Sequence, residues 1–467
     1  MSEPIKINFA KQAYQSRSTP LNAQRCVNFY LEPAPEGSKE PDVLFGTPGL
    51  KLWASITSAP IYGMHVLGSY LYVVTDNTVY RVDTASSASS LGSIGTTENV
   101  VMMDNNATDV IIVKEDGASY LADSSSLTQI TDGDFVSASS VAAVDGYACF
   151  SRISSNTFHI SDLNDASAYA AADTSEIQQN SNTIVRAISH QGGLWLFTNG
   201  NIEVWYNSGN ADFPFVPNRS ATISRGCAAK RSVVQEDNTL FFLGDDRIIY
   251  RMDGYTPKRI STHAIEKAIQ GYTTISDCEA IAYTQEGHKF AVFTFPTELE
   301  TWVYDISTGL WHQRQSFGEG RWRASSHAFF AGKHLVGDFE TGKIYELDLD
   351  TYTDNTTTIQ GVLVSPPIWN GNKKITHDRL WIEFDTGVGL ISGQGSDPLC
   401  MLRFSDDAGN TWSNEIQASI GDIGDYRVKV EFTCLGQSRH RIYELKITDP
   451  IKRHITGAWL NMRVGKA

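Results

Sequence analysis

Short runs of alternating apolar and polar residues dominate the chain, and one of them serves as a template for the others. In GSYLYVVTDNTVYRVD, Gly68 to Asp83, the apolar residues Leu71 and Val73 alternate with other positions. The following segment, TDNT, has the short polar side chains of a tight turn, and a second run ends on Tyr80. The pattern predicts a β-hairpin.

Six further segments repeat this pattern, and each ends with an aromatic residue near the end of its second strand. The complete set of aromatic anchors is Tyr80, Tyr120, Phe158, Trp205, Tyr250, Tyr304 and Tyr345. Their mean spacing is about 44 residues, which is the period of four-stranded propeller blades. Since radial stacking buries the apolar face that a lone hairpin exposes, seven copies predict a closed ring. A β-sandwich with irregular hairpins is the alternative.

The chain divides into three regions, and the predicted fold class is all-β. Residues 1–47 form an extended N-terminal arm with one strand, RCVNFYLEP, and residues 48–355 form a seven-bladed β-propeller. Residues 356–467, beyond the last repeat, alternate as in an antiparallel β-sandwich-like C-terminal domain. The segment Leu50 to Ile56 is placed to close the ring on the last blade, and one helix is predicted over Ser261 to Tyr272.

The arm is expected to pair with another sheet. Val27 and Phe29 alternate as in an edge strand, whereas the arm as a whole has too little apolar content to fold alone. A propeller already closed by its own strand offers few free edges. We therefore expect the arm to add to the C-terminal sheets, and deletion of residues 1–40 to leave a folded propeller that no longer assembles.

Composition limits the possible partners. A net charge of −15 and the absence of a basic run argue against a surface that grips phosphates. Six scattered cysteines indicate buried thiols in a reducing compartment: Cys26, Cys149, Cys227, Cys278, Cys400 and Cys434. The N-terminus has no apolar signal region and no apolar stretch approaches 18 residues, so synthesis in the cytoplasm and no membrane-spanning segment are expected.

No catalytic, cofactor-binding or metal-binding constellation is predicted. The 11 histidines show neither H-x-H nor H-E-x-x-H, and the chain has no P-loop and no G-x-S-x-G. Paired carboxylates lie in loops of an acidic chain, where they are usually solvated. We therefore expect a protein that is not an enzyme and has no cofactor.

One motif carries a specific local structure. Ser405, Asp407, Gly409, Thr411 and Trp412 match the Asp-box, a turn in which the Asp side chain binds local backbone donors. We interpret it as a structural turn with Trp412 buried beneath it. The alternatives are an Asp-box carbohydrate-binding or sialidase-like glycosidase propeller, and a cytosolic scaffold for host proteins.

Three stretches together resemble the packaged-DNA stabilisation proteins of short-tailed bacteriophages, also called tail-hub or tail-nozzle proteins. They are YQSRSTPLNAQRCVNFYLEP with FGTPGL, then ISTHAIEKAIQGYT, and finally SDDAGNTWS with LGQSRHRIYELKITDP and GAWLNMRV. Within the first stretch, the arm residues of the family motif are Tyr14, Ser16, Arg17, Ser18, Asn28, Tyr30, Thr47, Pro48 and Gly49. The resemblance spans nearly the whole chain, and the order and spacing of the motifs strengthen it.

The resemblance implies a virion tail protein, a homo-hexameric ring beneath the portal and its adaptor that retains packaged DNA until ejection. Implied partners are the portal–adaptor connector, a tail needle, and fibre or tailspike proteins. Double-stranded DNA would pass through the channel without sequence-specific binding. Acidity agrees, because six copies would carry about −90 formal charges and such a wall repels phosphate.

Overall fold

The structure is a computed structural model, and it describes residues 4–9, 11–96, 100–179, 181–221 and 223–465. The N-terminal region holds more strands than the one predicted. They are β1 (Ile5–Lys6), β2 (Tyr14–Gln15), β3 (Ala23–Val27), β4 (Phe29–Pro33), β5 (Asp42–Gly46) and β6 (Gly49–Thr57).

The propeller region contains the predicted hairpins. Its first strands are β7 (Ile61–Leu67), β8 (Tyr70–Thr75), β9 (Thr78–Val82), β10 (Ala88–Ser93), β11 (Met102–Asn105), β12 (Val110–Val113), β13 (Ser119–Ala122), β14 (Leu127–Gln129), β15 (Ala138–Val144), β16 (Tyr147–Arg152), β17 (Thr157–Ile160) and β18 (Thr174–Glu176). They are followed by β19 (Ile184–His190), β20 (Gly193–Thr198), β21 (Ile202–Asn207), β22 (Phe215–Pro217), β23 (Val234–Glu236), β24 (Thr239–Leu243), β25 (Ile249–Asp253) and β26 (Thr256–Arg259). The remainder are β27 (Glu279–Gln285), β28 (His288–Phe295), β29 (Glu300–Asp305), β30 (Leu310–Gln313), β31 (Ala324–Phe330), β32 (Lys333–Asp338), β33 (Gly342–Asp348), β34 (Thr353–Asp354) and β35 (Thr357–Thr358).

Nine strands make up the C-terminal region. They are β36 (Gly361–Val364), β37 (Ile368–Trp369), β38 (Ile375–Phe384), β39 (Leu399–Ser405), β40 (Ile416–Ser419), β41 (Val430–Thr433), β42 (Gln437–Ser438), β43 (His440–Ile447) and β44 (His454–Val464).

The template hairpin forms as predicted. Strands β8 and β9 pair antiparallel around a two-residue turn, with Thr75 opposite Thr78. The turn residues Asp76 and Asn77 have φ angles of 48° and 61°. Short polar side chains tolerate this left-handed backbone, and its twist matches that of the flanking strands. In every copy the anchoring aromatic lies on the third strand of a four-stranded unit, as Tyr80 does on β9.

The four-stranded units stack around a central channel. Their first strands are β7, β11, β15, β19, β23, β27 and β31, and β31 contacts β7 to close the circle. Five units form separate sheets, from β7–β10 through β23–β26. The last unit, β31 to β33, is completed by β6, which confirms that Leu50 to Ile56 closes the ring.

The predicted number of seven blades is wrong, because the described residues form six. Six sheets lie wholly within the propeller region, five of four strands and one of six. The repeat that contains Tyr304, β27 to β30, does not form a sheet of its own, because arm strand β3 pairs along the outer edge of β30. That repeat is therefore one end of an eleven-stranded sheet that continues into the C-terminal domain.

The C-terminal domain is a β-sandwich to which the arm contributes strands. One layer is the continuation of the eleven-stranded sheet, in the order β3, β36, β43, β39, β40. The other is a seven-stranded sheet in which β4 and β5 lie beside β44, followed by β38 and β41. Buried side chains of both layers share one core, to which the arm supplies Ile7, Phe9, Cys26, Phe29 and Leu31.

The predicted pairing of the arm with the C-terminal sheets is thus confirmed, but the proposed deletion is not a clean test. Removing residues 1–40 would take away strands β1 to β4 and the core side chains that they carry. Loss of large buried side chains costs about 2–5 kcal/mol each, so the truncated sandwich would unfold as well as fail to assemble.

Helix α1 (His263–Gly271) follows the sequence prediction. Thr262 caps its N-terminus by accepting a hydrogen bond from the Ile265 backbone N–H, and Ile265 and Ile269 are buried on one face. At its other end Arg247 donates to the backbone carbonyls of Ile269 and Tyr272, both at 2.9 Å.

Five of the six cysteines are buried thiols, as predicted, and the sixth, Cys434, is exposed. Cys434 directly follows β41 and has a φ of 58°.

Candidate functional site

The most constrained part of the molecule is the junction at which arm, propeller and sandwich meet. Strand β3 lies between β30 of the propeller and β36 of the sandwich, parallel to the first and antiparallel to the second. Val27 is opposite Gln313 on one side and Val362 on the other. A single arm strand therefore joins the two domains through main-chain hydrogen bonds.

Asn28 holds this junction together. Its backbone leaves β3 at a φ of 58°, and its side chain is buried. The side-chain amide donates to the carbonyls of Gln315 and Gln360, both at 2.8 Å, and its oxygen accepts from the Gln315 backbone N–H at 3.0 Å. Gln315 belongs to the propeller and Gln360 to the entry into the sandwich. One side chain thus satisfies backbone groups of both domains, and Asn is among the few residues that adopt this φ readily.

Tyr30 packs the arm against the propeller. Its ring lies 5.0 Å from His288 and 5.5 Å from Phe290, edge-on to both. Such edge-to-face contacts stabilise a buried aromatic beyond the area it buries. The His288 Nδ1–H also donates to the Asp305 carboxylate at 2.8 Å, and the other ring nitrogen faces Glu32 of the arm at 3.8 Å.

The motif residues Thr47, Pro48 and Gly49 complete the junction. The Thr47 backbone N–H donates to the Asn28 carbonyl at 3.1 Å, and the Pro48 carbonyl accepts from Arg314 at 2.6 Å. A Cβ on Gly49 would lie 2.2 Å from the Thr351 carbonyl oxygen, so no larger residue fits there.

Arg314 is the buried charge at the centre of the junction. Besides Pro48, it donates to the Tyr283 hydroxyl at 2.9 Å, and its guanidinium lies 3.6 Å from the Trp322 ring. Burial lowers the pKa of Arg314, and burial raises that of Asp354 nearby. These groups fix the arm to the propeller by polar contacts that water cannot reach.

The other arm residues of the motif lie apart from the junction. Tyr14 pairs with Gln24 in a small hairpin, and the Ser16 backbone N–H donates to the Asn22 carbonyl at 2.9 Å. Arg17 and Ser18 are exposed at its tip. The structure therefore brings five of the motif residues together at the junction: Asn28, Tyr30, Thr47, Pro48 and Gly49. The other four lie in a separate hairpin at the surface: Tyr14, Ser16, Arg17 and Ser18.

The Asp-box residues form a closed turn after β39. The Asp407 carboxylate accepts from the Ser405 hydroxyl at 2.6 Å, from the Thr411 backbone N–H at 2.8 Å and from the Thr411 hydroxyl at 2.6 Å. The Gly409 backbone N–H donates to the Ser405 oxygen at 2.8 Å. The Ser405 and Thr411 hydrogen bonds lower the pKa of Asp407 to about 2. Both oxygens of the carboxylate are therefore engaged within the turn, which supports the interpretation of the motif as a structural turn.

Trp412 is half-buried, and the expectation that it lies wholly beneath the turn is wrong. It packs against the buried side chains of Val27, Val362 and Val364, with the Arg403 guanidinium 4.7 Å from its ring. The indole covers the face of the sheet where β3 pairs with β36, and it remains partly exposed to solvent.

The comparisons with known proteins agree with this architecture. A family model described as bacteriophage P22 Gp10, beta-propeller, matches residues 5–352, and a second, described as bacteriophage P22 Gp10, beta-sandwich, matches residues 360–463. The chain belongs to the bacteriophage P22 Gp10 family. The resemblance to packaged-DNA stabilisation proteins is therefore confirmed, and the protein is a structural component of a phage tail of the tail-hub kind. Nothing supports the carbohydrate-binding alternative.

Two further comparisons add little to the Gp10 assignment. No curated protein matches the chain. Among solved structures, a crystal structure of the computationally designed Ika8 protein matches at 11% identity and a TM-score of 0.39, covering 64% of this chain and 99% of the design. At that score the similarity carries no argument.

Two features are absent from the described part of this Gp10 relative. No group of three or more His, Cys, Asp or Glu side chains could hold a metal ion. None of the helices there has the length and apolar character needed to cross a membrane.

A surface that sequence reasoning missed lies at one end of the sandwich. Two neighbouring loops, residues 386–398 and 421–429, form what we call the sandwich tip, joined where the Gly424 backbone N–H donates to the Gly387 carbonyl at 3.1 Å. Ile391, Ile423 and Tyr426 on this tip are 89%, 58% and 75% exposed. Neither loop has the alternation of a strand, so no periodic signal could identify these residues.

Proposed function

We propose that this Gp10 relative assembles as a homo-hexameric ring below the portal and its adaptor, lengthens the tail channel and retains packaged DNA until ejection. It is made in the host cytoplasm and incorporated into the virion. The observation that carries the proposal is the match of both family domains to this chain. The junction supports it, because a ring subunit that withstands packaged DNA must not flex between its domains.

The arm and C-terminal domain, residues 1–47 and 356–467, form the platform that makes the ring contacts and meets the adaptor, while the propeller of residues 48–355 faces outward. Exposed large apolar side chains support this placement. The sandwich tip alone presents three, and such residues in a soluble chain mark interaction surfaces when they cluster. Needle and fibre or tailspike proteins are the remaining partners.

Assembly of matched surface variants tests the platform. We expect the double substitution Ile391→Ser with Tyr426→Ser to abolish rings on purified portal–adaptor complexes, seen by electron microscopy, because it removes the apolar contact surface. The control is Leu163→Ser, which replaces a 56% exposed apolar residue of the propeller and should leave assembly intact. Rings formed equally by the double variant would overturn the platform, and a wild-type protein that never forms six-copy rings would overturn the hexamer.

Double-stranded DNA is proposed to pass through the ring without sequence-specific binding. In a filter-binding assay the assembled ring should retain specific and scrambled duplexes equally weakly at physiological salt. Saturable preference for one sequence would contradict this.

We also propose that the protein is not an enzyme. Both oxygens of the Asp407 carboxylate are engaged within its turn, so the purified protein should show no turnover of sialosides or other glycosides. Turnover that a single carboxylate substitution abolishes would reverse this conclusion.

A further inference from the structure

The central channel of the propeller contains a cluster of cations that are far apart in the sequence. Two adjoining cavities of about 290 and 250 Å³ lie along this channel and share Met102 and Arg231 in their walls. Arg186 lines the larger cavity, and Lys114 and Lys230 line the smaller. Strands from six of the propeller units supply the wall of the larger cavity.

In the larger cavity the two arginines, Arg186 and Arg231, face one carboxylate, that of Glu279. Glu115 and Asp277 lie beside the lysines in the wall of the smaller cavity. Glu279 is shared between Arg231, at 2.8 Å, and Arg321, at 3.5 Å. Lys114 is paired with Asp116 at 3.0 Å. Over the described ranges of the chain, no carboxylate lies within salt-bridge distance of Arg186 or Lys230. A positive interior is unexpected in a chain with a net charge of −15.

Two N–H groups of this cluster are buried without an acceptor. They are Arg186 Nε and Arg231 Nη1, whereas the Arg321 Nη2 group faces Glu279 at 3.5 Å. Among the described residues, the Arg186 guanidinium donates to the Met102 sulfur at 3.1 Å, and a thioether sulfur is a weak acceptor. Burial lowers the pKa of Arg186 to about 10, and the charge of Asp104 opposes this shift only in part. Unpaired buried donors and uncompensated charges are costly, so such a cluster requires an acceptor.

We propose that the propeller channel binds a small tetrahedral oxyanion, of the phosphate or sulfate class, between Arg186 and Arg231. Guanidinium groups present planar pairs of donors that match the oxygens of such anions, and their hydrogen bonds to an anion are charge-assisted. Arg321 and Lys230 supply further positive charge. The bound anion would join strands from different units of the propeller, and so stabilise the ring from inside.

Calorimetric titration of the full-length protein with inorganic phosphate tests the site, after exchange into a chloride buffer free of phosphate and sulfate. We expect saturable binding at one site per chain, together with a rise in melting temperature. Acetate at the same concentration should compete weakly, because a carboxylate offers only two oxygens. Absence of saturable binding to the wild-type protein overturns the proposal.

Single substitutions distinguish phosphate binding at this site from non-specific attraction of phosphate to the positive charges of the protein. Arg186→Gln and Arg231→Gln should each weaken phosphate binding at least tenfold, whereas Arg251→Gln, which removes a propeller arginine paired with Asp237, should not change it. Equal weakening by all three variants would contradict a defined site.

The variant Arg186→Met keeps the test decisive if a polar replacement fails to fold. It removes a buried charge without a partner, so it should melt above the wild type in phosphate-free buffer and lose the response to phosphate. A variant that melts below the wild type in that buffer would show that contacts within the chain already satisfy Arg186, and the proposal would fail.

Discussion

Replacement of Asn28 by Ala tests whether one arm side chain holds the two domains together. The substitution removes three buried hydrogen bonds, two donated to carbonyls and one accepted from the Gln315 N–H. At about 1 kcal/mol each, these account for about 3 kcal/mol. A Cβ-bearing residue other than Asn or Asp at a φ of 58° adds about 1 kcal/mol of backbone strain. The expected loss is therefore about 4 kcal/mol, which is a large part of the stability of a typical domain.

Urea denaturation followed by far-ultraviolet circular dichroism and by tryptophan fluorescence measures this loss. Because the chain has two domains, unfolding need not be two-state. If Asn28 couples them, Asn28→Ala should split a single transition into two, with the sandwich unfolding first. Asn28→Asp keeps the acceptor for Gln315 but places a buried carboxylate against the Gln315 and Gln360 carbonyl oxygens, so it should cost at least as much as Asn28→Ala.

The control for backbone strain is Asn372→Ala. Asn372 also has a positive φ, of 62°, but it is exposed in a turn. Its replacement should therefore cost only about 1 kcal/mol. If Asn28→Ala costs no more than this control, the hydrogen bonds to Gln315 and Gln360 do not hold the junction, and the reasoning is refuted.

Three further predictions concern the same region. Gly49→Ala should cost about 3 kcal/mol in urea denaturation, because its Cβ would lie 2.2 Å from the Thr351 carbonyl oxygen, and an unchanged midpoint would contradict that geometry. Trp412→Ala should lower the free energy of unfolding by about 2 kcal/mol, because the ring is half-buried, whereas a fully buried indole would account for about 3 to 5 kcal/mol. A loss in that higher range in a thermal melt would indicate that the indole is fully buried. Hydrogen bonding to Asp305 raises the pKa of His288, so its stabilising contribution is complete below pH 6.5 and is lost as pH rises through the folded-state value. Stability measured between pH 6 and 8 should fall less steeply in His288→Gln than in the wild type, and parallel profiles would exclude His288 as the cause.

The hairpins were predictable because their determinants are local. The turn at Asp76 and Asn77 and the apolar alternation around it lie within sixteen residues, and the aromatic anchors repeat at one period. Helix α1 was predictable for the same reason, since Thr262, Ile265 and Ile269 are close in sequence. In each case a short stretch contains both the residues that form the element and those that end it.

The position of β3 was not predictable from local pattern. Its partners, around Gln313 and Val362, lie roughly 300 residues along the chain, and an edge-strand pattern does not specify which edge it fills. For the same reason the repeat count was wrong at the unit containing Tyr304, because alternation within β30 does not reveal that a distant strand pairs with it.

The cations of the propeller channel were not predicted for a related reason. Arg186 and Arg231 come from different propeller units, so the sequence shows no basic run.

The segment that connects the propeller to the sandwich is bound to buried side chains on both sides, and this binding restricts motion between the two domains. The Ile359 carbonyl accepts from Arg453 at 2.6 Å, and the Gln360 carbonyl accepts from Asn28 at 2.8 Å. A Cβ on Gly361 would lie 2.5 Å from the Phe29 ring, so the arm packs directly on the chain that enters the sandwich. A hinge needs residues that are free to change φ and ψ, and here consecutive residues are bound to buried groups. Force applied to the sandwich therefore reaches the propeller through the hydrogen bonds of β3, and a subunit of this construction would enter a tail ring as one rigid body.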